Sequence, residues 1–360
     1  MKSNSYESRE PEAGRRPEAA TTRATIRHVA ELAQVSPSTV SRVLNGSPLV
    51  RGDYRRRVLA AVAQIDYRPN RLARNLRLQK SETIGVVVPD IENPHFSEMV
   101  RVCEDSAFSA GYRVLLCNTD ETPEKQRAYL ETLADERVLG AIVTPADSRG
   151  VGLESLLELG IPIVAFDRVI DDPRADAVIC DNVDSTRRAT EHLIWLGHER
   201  IALIGGRPDV ETGAERLEGY VAAMRAVGLT PFSVNGGFRT DVAEREVQTL
   251  LAMPTRPSAL VVANNLMTIG ALRAIKQTGL RIPLDLALVS IDDPPWAELI
   301  DPPLTVVAQP VRRMAETAIQ LLLQRIHGRL GEPVRVVLPL DLRVRSSCGM
   351  RLSTANQRRG

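Results

Sequence analysis

Aromatic residues are scarce: two Trp, five Phe and six Tyr in 360 residues, so each aromatic beside an apolar run is worth placing. Cysteine is scarcer. Cys103, Cys117, Cys180 and Cys348 are scattered with no C-x-x-C pair. That usage argues against a disulfide framework or a thiolate zinc site and fits reduced thiols in a cytoplasm. No run approaches the ~18 to 20 uninterrupted apolar residues that cross a bilayer, so no membrane partner is expected. The first twenty residues are polar and charged and lack the apolar stretch of a secretory signal. Signatures of catalysis are missing too: there is no GxSxG, no GxxxxGK[ST], no HExxH and no GxGxxG opening the first strand. The histidines number five. His192 and His198 flank a helix end at Trp195-Leu196-Gly197, which puts them on different faces and favours structural roles over metal ligation. The sequence therefore predicts no enzyme, no metal and no cofactor.

Charge is abundant, and its distribution is uneven. The net charge is only +1, yet residues 21–80 hold twelve Lys and Arg against Glu31, Asp53 and Asp66, a net of +9. Residues 81–360 carry a net of −8. A small basic unit thus precedes a large, mildly acidic one, which is an electrostatic footprint for a polyanion. A solvated basic linker is the alternative that charge alone allows.

Pattern decides between them. Residues 1–23 show no apolar period and read as a disordered extension. Thr25 can cap a helix from about Ile26 to Ala33, with Ile26, Val29, Ala30 and Ala33 at i, i+3, i+4, i+7. Ser36-Pro37 restarts the helix after a turn at Gln34-Val35, and Asn45-Gly46 stops it. A third helix, about Asp53 to Ile65, buries Val58, Leu59, Val62 and Ile65. The unit is a helix-turn-helix. Its second helix presents Pro37, Ser38, Ser41 and Arg42 on one face and turns Val40 and Val43 to the core. An α-helix fits the major groove of DNA, where short polar side chains reach base edges and an arginine forks to guanine or grips phosphate. Residues 67–80 are basic, with thin apolar spacing, and too short to hold a helix alone.

From Ile84 the texture changes to continuous Val/Ile/Leu runs separated by amphipathic helices: IGVVVP, YRVLLC, GAIVTP, IPIVAF, IALIGG, SALVVAN and LALVSI. Such runs predict parallel strands buried on both faces. Residues 84–345 read as two doubly wound α/β units, the second beginning near residue 181. Ligands of such sheets bind at the carboxyl ends of the strands, here in the cleft between the units. The polar residues at those ends are Asp147, Asp167-Arg168, Asn264-Asn265, Asp292-Asp293 and Gln309, with Arg216 on the helix after IALIGG and the aromatics Phe96, Phe166 and Trp296 nearby. Carboxylates accept hydroxyl bonds, arginine donates two, and aromatic faces pack on the C–H face of a sugar ring. The set suits a neutral polyhydroxylated ligand.

The runs TIRHVAELAQVSPSTVSRVLNG and VLAAVAQIDYRPNRLARNLR resemble the DNA-binding head of the lactose-repressor (LacI/GalR) family. The resemblance continues through IGVVVPDIENPHFSEM, Asp167-Arg168, EHLIWLGHERIALIGG, RLEGY, VVANNLMTIGAL, SIDD and PPLTVVAQP, over about residues 24–348. It implies a helix-turn-helix head (24–70), a hinge helix or linker (71–81) and a periplasmic-binding-protein-like core (82–348), followed by a tail (349–360). The core would divide into one subdomain of about 82–180 and 311–338 and another of about 181–310 and 339–348. The family's members are dimeric DNA-binding regulators, repressors among them, whose operator affinity responds to a small molecule. The implied DNA contacts are Thr25, Ser36, Pro37, Ser38, Thr39, Ser41, Arg42 and Asn45, then Tyr67, Asn70, Arg71, Ala73 and Leu76. Pro37 departs from the larger polar or aromatic residues seen at that place and has no side-chain donor, which shifts base reading to Ser38. Leu76 falls where the family inserts a leucine into the minor groove to kink the duplex. The implied effector pocket takes His95, Phe96, Asp147, Arg216, Asn264, Asp292 and Gln309, and Phe166 and Trp296 complete the expected set. The family usually has Asn-Asp where this chain has Asn264-Asn265, which leaves Asn265 as a cap for the following helix. The C-terminus carries no leucine heptad, so a homodimer on near-palindromic double-stranded DNA is expected rather than a tetramer. A sugar-binding protein with an incidental basic head is the competing reading.

Overall fold

The computed structural model describes residues 24–44, 46–47, 49–67, 81–147 and 149–349. Asn45, Asn70, Arg71, Ala73 and Leu76 lie outside the described residues, as do all but the last residue of the hinge expected at 71–81. The chain divides into two compact units, Met1–Gln79 and Lys80–Gly360.

The first unit is helical: α1 (Ile26–Ala33), α2 (Pro37–Leu44) and α3 (Gly52–Gln64). Thr25 and His28 cap α1 reciprocally, the Thr25 hydroxyl accepting from the His28 N–H and the His28 ring accepting from the Thr25 N–H. Ser36 starts α2 by accepting the Thr39 N–H at 3.2 Å. The three helices close over Val29, Ala33, Val40, Val43, Val58 and Ala61. Leu59, expected in this core, is half exposed. The inward face of α3 runs through Val58, Ala61, Val62 and Ile65 at i, i+3, i+4, i+7, and Leu59 lies about 100° around the helix from Val58. Tyr67, expected at the DNA, is instead buried in the core of this unit.

The second unit holds two six-stranded sheets. In chain order come β1 (Thr83–Val88), α4 (Pro94–Ser109), β2 (Arg113–Asn118), α5 (Pro123–Asp135), β3 (Ala141–Val143), α6 (Glu154–Leu157), β4 (Ile163–Phe166) and β5 (Asp176–Cys180). Then follow α7 (Asn182–Trp195), β6 (Ile201–Gly205), α8 (Glu211–Ala226), β7 (Phe232–Asn235), α9 (Thr240–Leu251), β8 (Ala259–Val262), α10 (Asn265–Thr278), β9 (Ala287–Ile291) and β10 (Thr305–Ala308). The chain ends through α11 (Val311–Ile326), β11 (Arg335–Leu338) and β12 (Asp341–Arg343). The first sheet runs β11-β5-β4-β3-β1-β2, wholly parallel. The second runs β12-β10-β9-β8-β6-β7, parallel except for β12, which pairs antiparallel with β10. The expected parallel architecture stands, with that one antiparallel edge added.

The central strands are buried on both faces, as their apolar runs require. Helix α11 packs on α4 and on β3 to β5, while α7 pairs with α8 and α9 with α10 in the second half. The α7–α8 pair needs Gly219, where a Cβ would stand 2.1 Å from the Val183 carbonyl oxygen. Because α11 and β11 return to the first sheet and β12 to the second, the chain crosses between the halves three times. These crossings leave the carboxyl ends of both sheets facing one cleft. No described helix is long and apolar enough to cross a membrane.

Candidate functional site

On the helical unit, α2 keeps Pro37, Ser38 and Arg42 exposed while Val40 and Val43 are buried. Thr39 and Ser41 are half-buried beside them. The Ser36 hydroxyl lies 2.7 Å from that of Ser38 and 2.9 Å from that of Thr39. This hydroxyl network holds the start of the helix and sets the direction of Ser38. Thr25 is occupied by its cap. Other arginines stay tied to the unit: Arg55 donates to the Ser47 carbonyl at 2.7 Å and Arg57 to the Gln34 carbonyl at 3.1 Å. Arg42 has no ion pair among the described residues and is free to meet a phosphate or a base.

In the second unit a cavity of about 450 Å³ lies between the carboxyl ends of the two sheets. Six of the nine expected residues line it: His95, Phe96, Arg216, Asn264, Asp292 and Gln309. Asp292 follows β9 with a φ of +76°, a strained backbone that aims its buried carboxylate at the cleft. One oxygen accepts the Gln309 amide at 2.7 Å and the other the Asn265 N–H at 3.2 Å. Arg216, buried on α8, donates to Asn182 Oδ1 at 2.9 Å and to the Ala263 carbonyl at 2.7 Å. Both partners are neutral, and no carboxylate pairs with it among the described residues. Asn264, not Asn265, caps α10 by accepting the Met267 N–H at 2.8 Å. Asn265 is instead the first residue of that helix and reaches across the cleft to Asn93 Oδ1 at 3.0 Å.

The first half supplies the opposite wall. His95 is buried at the start of α4, its ring edge-on to Phe96 at 4.8 Å and 3.6 Å from the Asp167 carboxylate. Asp167 mirrors Asp292: it follows a strand, is buried and has a φ of +66°. Arg168 beside it is clamped by both oxygens of Glu121 at 2.7 and 2.6 Å and stands 5.8 Å over the Phe238 ring. The Phe238 ring occupies the space that a Cβ on Gly206 would fill, at 2.0 Å, so glycine at 206 is what lets this ring seat.

Three expected residues stay outside the cavity. Asp147 turns back on its own loop, accepting the Gly150 N–H at 3.0 Å and pairing with Arg149. Phe166 is wholly buried in the apolar core, with its ring centroid 5.9 Å from that of His95. Trp296 sits on a short 3₁₀ turn and packs against the core. Sequence reasoning also missed lining residues, among them Asp90, Asn118, Asp120, Glu121, Arg207 and Phe238. Asp90, Asn118 and Arg207 lie at or just beyond strand ends, so the rule that found Asp292 applies to them too. Phe238 follows β7, an exposed edge strand with no apolar run to announce it. Burial, then the neighbouring carboxylates of Glu92, Asp120 and Glu121, push the Asp90 carboxyl above its ordinary range.

Burial pushes the Cys103 thiol up to about 12 and that of Cys117 to about 11. His192 contacts the Cys348 sulfur at 3.3 Å and His198 the Ser258 hydroxyl at 3.0 Å. No cluster able to hold a metal ion occurs among the described residues.

A helix-turn-helix unit joined to a two-sheet ligand cleft defines a DNA-binding regulator with a sensor core. Known proteins give that class a family. The bacterial regulatory proteins of the lacI family match residues 25–70, and a periplasmic binding protein-like domain matches residues 190–348. The HTH-type transcriptional repressor PurR of Aliivibrio fischeri is 37% identical over 336 residues, covering 91% of this chain and 99% of that protein. The lac repressor dimer bound to operator and the anti-inducer ONPF superposes with a TM-score of 0.79 at 30% identity, covering 91% of this chain and 99% of that one. A LacI family regulator from Enterococcus faecium with bound ribose gives a TM-score of 0.69 at 30% identity, covering 75% and 99%. The chain belongs to the lacI family of bacterial regulatory proteins and is a DNA-binding transcriptional regulator.

Proposed function

We propose that this regulator binds a near-palindromic operator as a two-fold dimer and that a small neutral polyol, a sugar or sugar derivative, controls its affinity from the cleft. The observation that carries the ligand reading is a set of buried polar atoms without partners. His95 Nδ1 and Nε2, Arg168 Nε and Gln309 Oε1 all lack a hydrogen-bond partner, and all belong to residues lining the same cavity. Buried polar groups are nearly always satisfied, so these mark where ligand oxygens and hydroxyls complete the network. Arg216 would donate to a ligand oxygen, Asp292 would accept a hydroxyl, and the Phe96 and Phe238 rings would pack on C–H faces. Binding to both walls fixes the angle between the two halves of the core. That angle would be transmitted through residues 68–80, with Leu76 as the minor-groove wedge, to heads whose Ser38 and Arg42 face the major groove. The ligand shifts affinity only by its preference for one arrangement, typically about 1–3 kcal/mol.

Titration calorimetry with D-ribose, D-glucose and adenine tests the ligand class. A sugar should bind, and Arg216→Ala should abolish the heat. Adenine binding where both sugars fail would replace the polyol reading with a nucleobase. For the head, operator fragments selected from genomic DNA should bind with a slope of roughly −5 to −9 in log K against log salt, if about six to ten phosphates are met. A slope near zero would remove the head from the DNA backbone.

A further inference from the structure

We propose that the core carries a second ligand site, beside the first cavity, for a small zwitterion of the amino-acid type. A cavity of about 790 Å³ borders the first along a shared wall of His95, Asp292 and Gln309. Its other lining residues are absent from the first, and they bring together the starts of α4, α10 and α11. One part of this lining seeks a hydrogen-bond donor. Asn265 is 2% exposed and lines the second cavity but not the first. Its Nδ2 donates to Asn93, a residue of the first cavity, at 3.0 Å, while its Oδ1 has no hydrogen-bond partner. The Asn265 N–H donates to Asp292 at 3.2 Å, so a carboxylate stands close to this unpartnered oxygen. Asp292 is buried, accepts only from neutral groups and forms no ion pair among the described residues. Of the other acids on the wall, Asp293 is taken up by Arg343 and Arg345, and Glu98 and Glu316 are exposed. A buried amide oxygen beside an uncompensated carboxylate suits an ammonium, which brings three donors and a positive charge.

The other part of the lining seeks an anion. Helix α11 runs for 16 residues, and Pro310 before it supplies no side-chain cap. No acid stands in its first turn. Its first N–H groups and the positive end of its dipole therefore open on the cavity that Pro310, Val311, Arg312 and Arg313 line. Arg312 and Arg313 are both exposed and form no ion pair among the described residues. A carboxylate placed there meets two guanidinium groups and a helix end. A ligand with one of these charges would leave the other part of the lining unmet, whereas a zwitterion meets both. The site does not depend on what the first cavity binds, so it and the polyol reading can fail separately.

Thermal denaturation of the full-length protein with each of the common L-amino acids tests this site, with ammonium acetate at equal concentration as the control that separates the two charges. At least one amino acid should raise the melting temperature with a saturating concentration dependence, and ammonium acetate should not. The double substitution Arg312→Ala, Arg313→Ala removes two exposed side chains and should weaken that amino acid by about tenfold or more, the usual weight of charge-assisted hydrogen bonds. Asn265→Leu should weaken it comparably, and the arginine substitution serves alone if this buried variant does not fold. Arg216→Met, in the first cavity, should leave the amino acid's affinity as it is. The proposal is overturned if no amino acid shifts the wild type, if ammonium acetate shifts it as far, if the arginine substitution changes nothing, or if Arg216→Met abolishes the shift.

Discussion

Two buried arginines face one cavity from opposite walls, and they are held in different ways. Arg168, in the first half, is clamped by both oxygens of Glu121, so its charge is neutralised within the protein. Arg216, in the second half, leans on an amide oxygen and a backbone carbonyl, and forms no ion pair with a carboxylate among the described residues. The first arrangement is a structural strut whose removal strands a charge. The second is a donor held in place and left electrostatically open toward the cavity. Burial alone does not separate a residue that builds a site from one that reads a ligand; the charge of its partners does.

The largest effect that would test this contrast is on stability. Arg168→Ala leaves Glu121 facing a closed cleft without its counter-ion and should cost about 3–5 kcal/mol in urea denaturation, the usual penalty for breaking such a pair. A loss below about 1 kcal/mol would mean the clamp is no strut. Next comes affinity. Arg216→Met keeps much of the side-chain volume, strands only neutral acceptors and should weaken ligand binding by about tenfold or more, read by calorimetry with a sugar that binds the wild type. If Arg168→Met lowers affinity as much as Arg216→Met at matched stability, the two arginines do the same work and the contrast is gone. Asp292→Asn should have a smaller effect. The remaining oxygen still accepts one of its two protein donors, and the loss of charge should reduce affinity by roughly 1 kcal/mol.

The smallest effect concerns pH. Asp90 lines the cavity from the first half with its carboxyl raised by burial and then by neighbouring acids. A raised carboxyl binds its proton more tightly in the folded state, so stability falls as pH rises from the ordinary value of 3.8 through the folded one. Asp90→Asn should therefore stabilise the chain at pH 7 by some tenths of a kcal/mol, with the gain fading as pH drops toward 3.8. Denaturation curves at both ends of that range check the sign; a destabilised variant at pH 7 would mean that Asp90 is favourably solvated or paired.

The two walls also differ in how well the sequence announced them. Of the five residues expected from the second half, Arg216, Asn264, Asp292 and Gln309 line the cavity and Trp296 does not. From the first half, His95 and Phe96 line the cavity, while Asp147 and Phe166, expected there, lie elsewhere. Long strands with a polar residue immediately after them gave a clear signal, as in β9 and Asp292. β3 is only three residues long, and Asp147 lies four positions beyond its end, far enough for the loop to turn it back. Leu59 and Tyr67 in the head show the same limit: periodicity assigns a helix, and packing decides which neighbour of a buried residue is covered.

What the sequence determined by itself is therefore the set of local commitments. Thr25 and Ser36 start their helices, the Val/Ile/Leu runs form strands buried on both faces, and the +9 segment separates a polyanion-binding unit from an acidic core. These follow from short-range sterics, capping and apolar period, which a linear chain carries within a few residues. Tertiary structure alone decided that β12 pairs antiparallel in the second sheet. It alone set Glu121 against Arg168, 47 positions apart, and Asn93 against Asn265, 172 positions apart. Those pairings cannot be read from the chain, because a hydrogen bond between distant residues depends on where two sheets bring their loops, and no local pattern encodes that meeting.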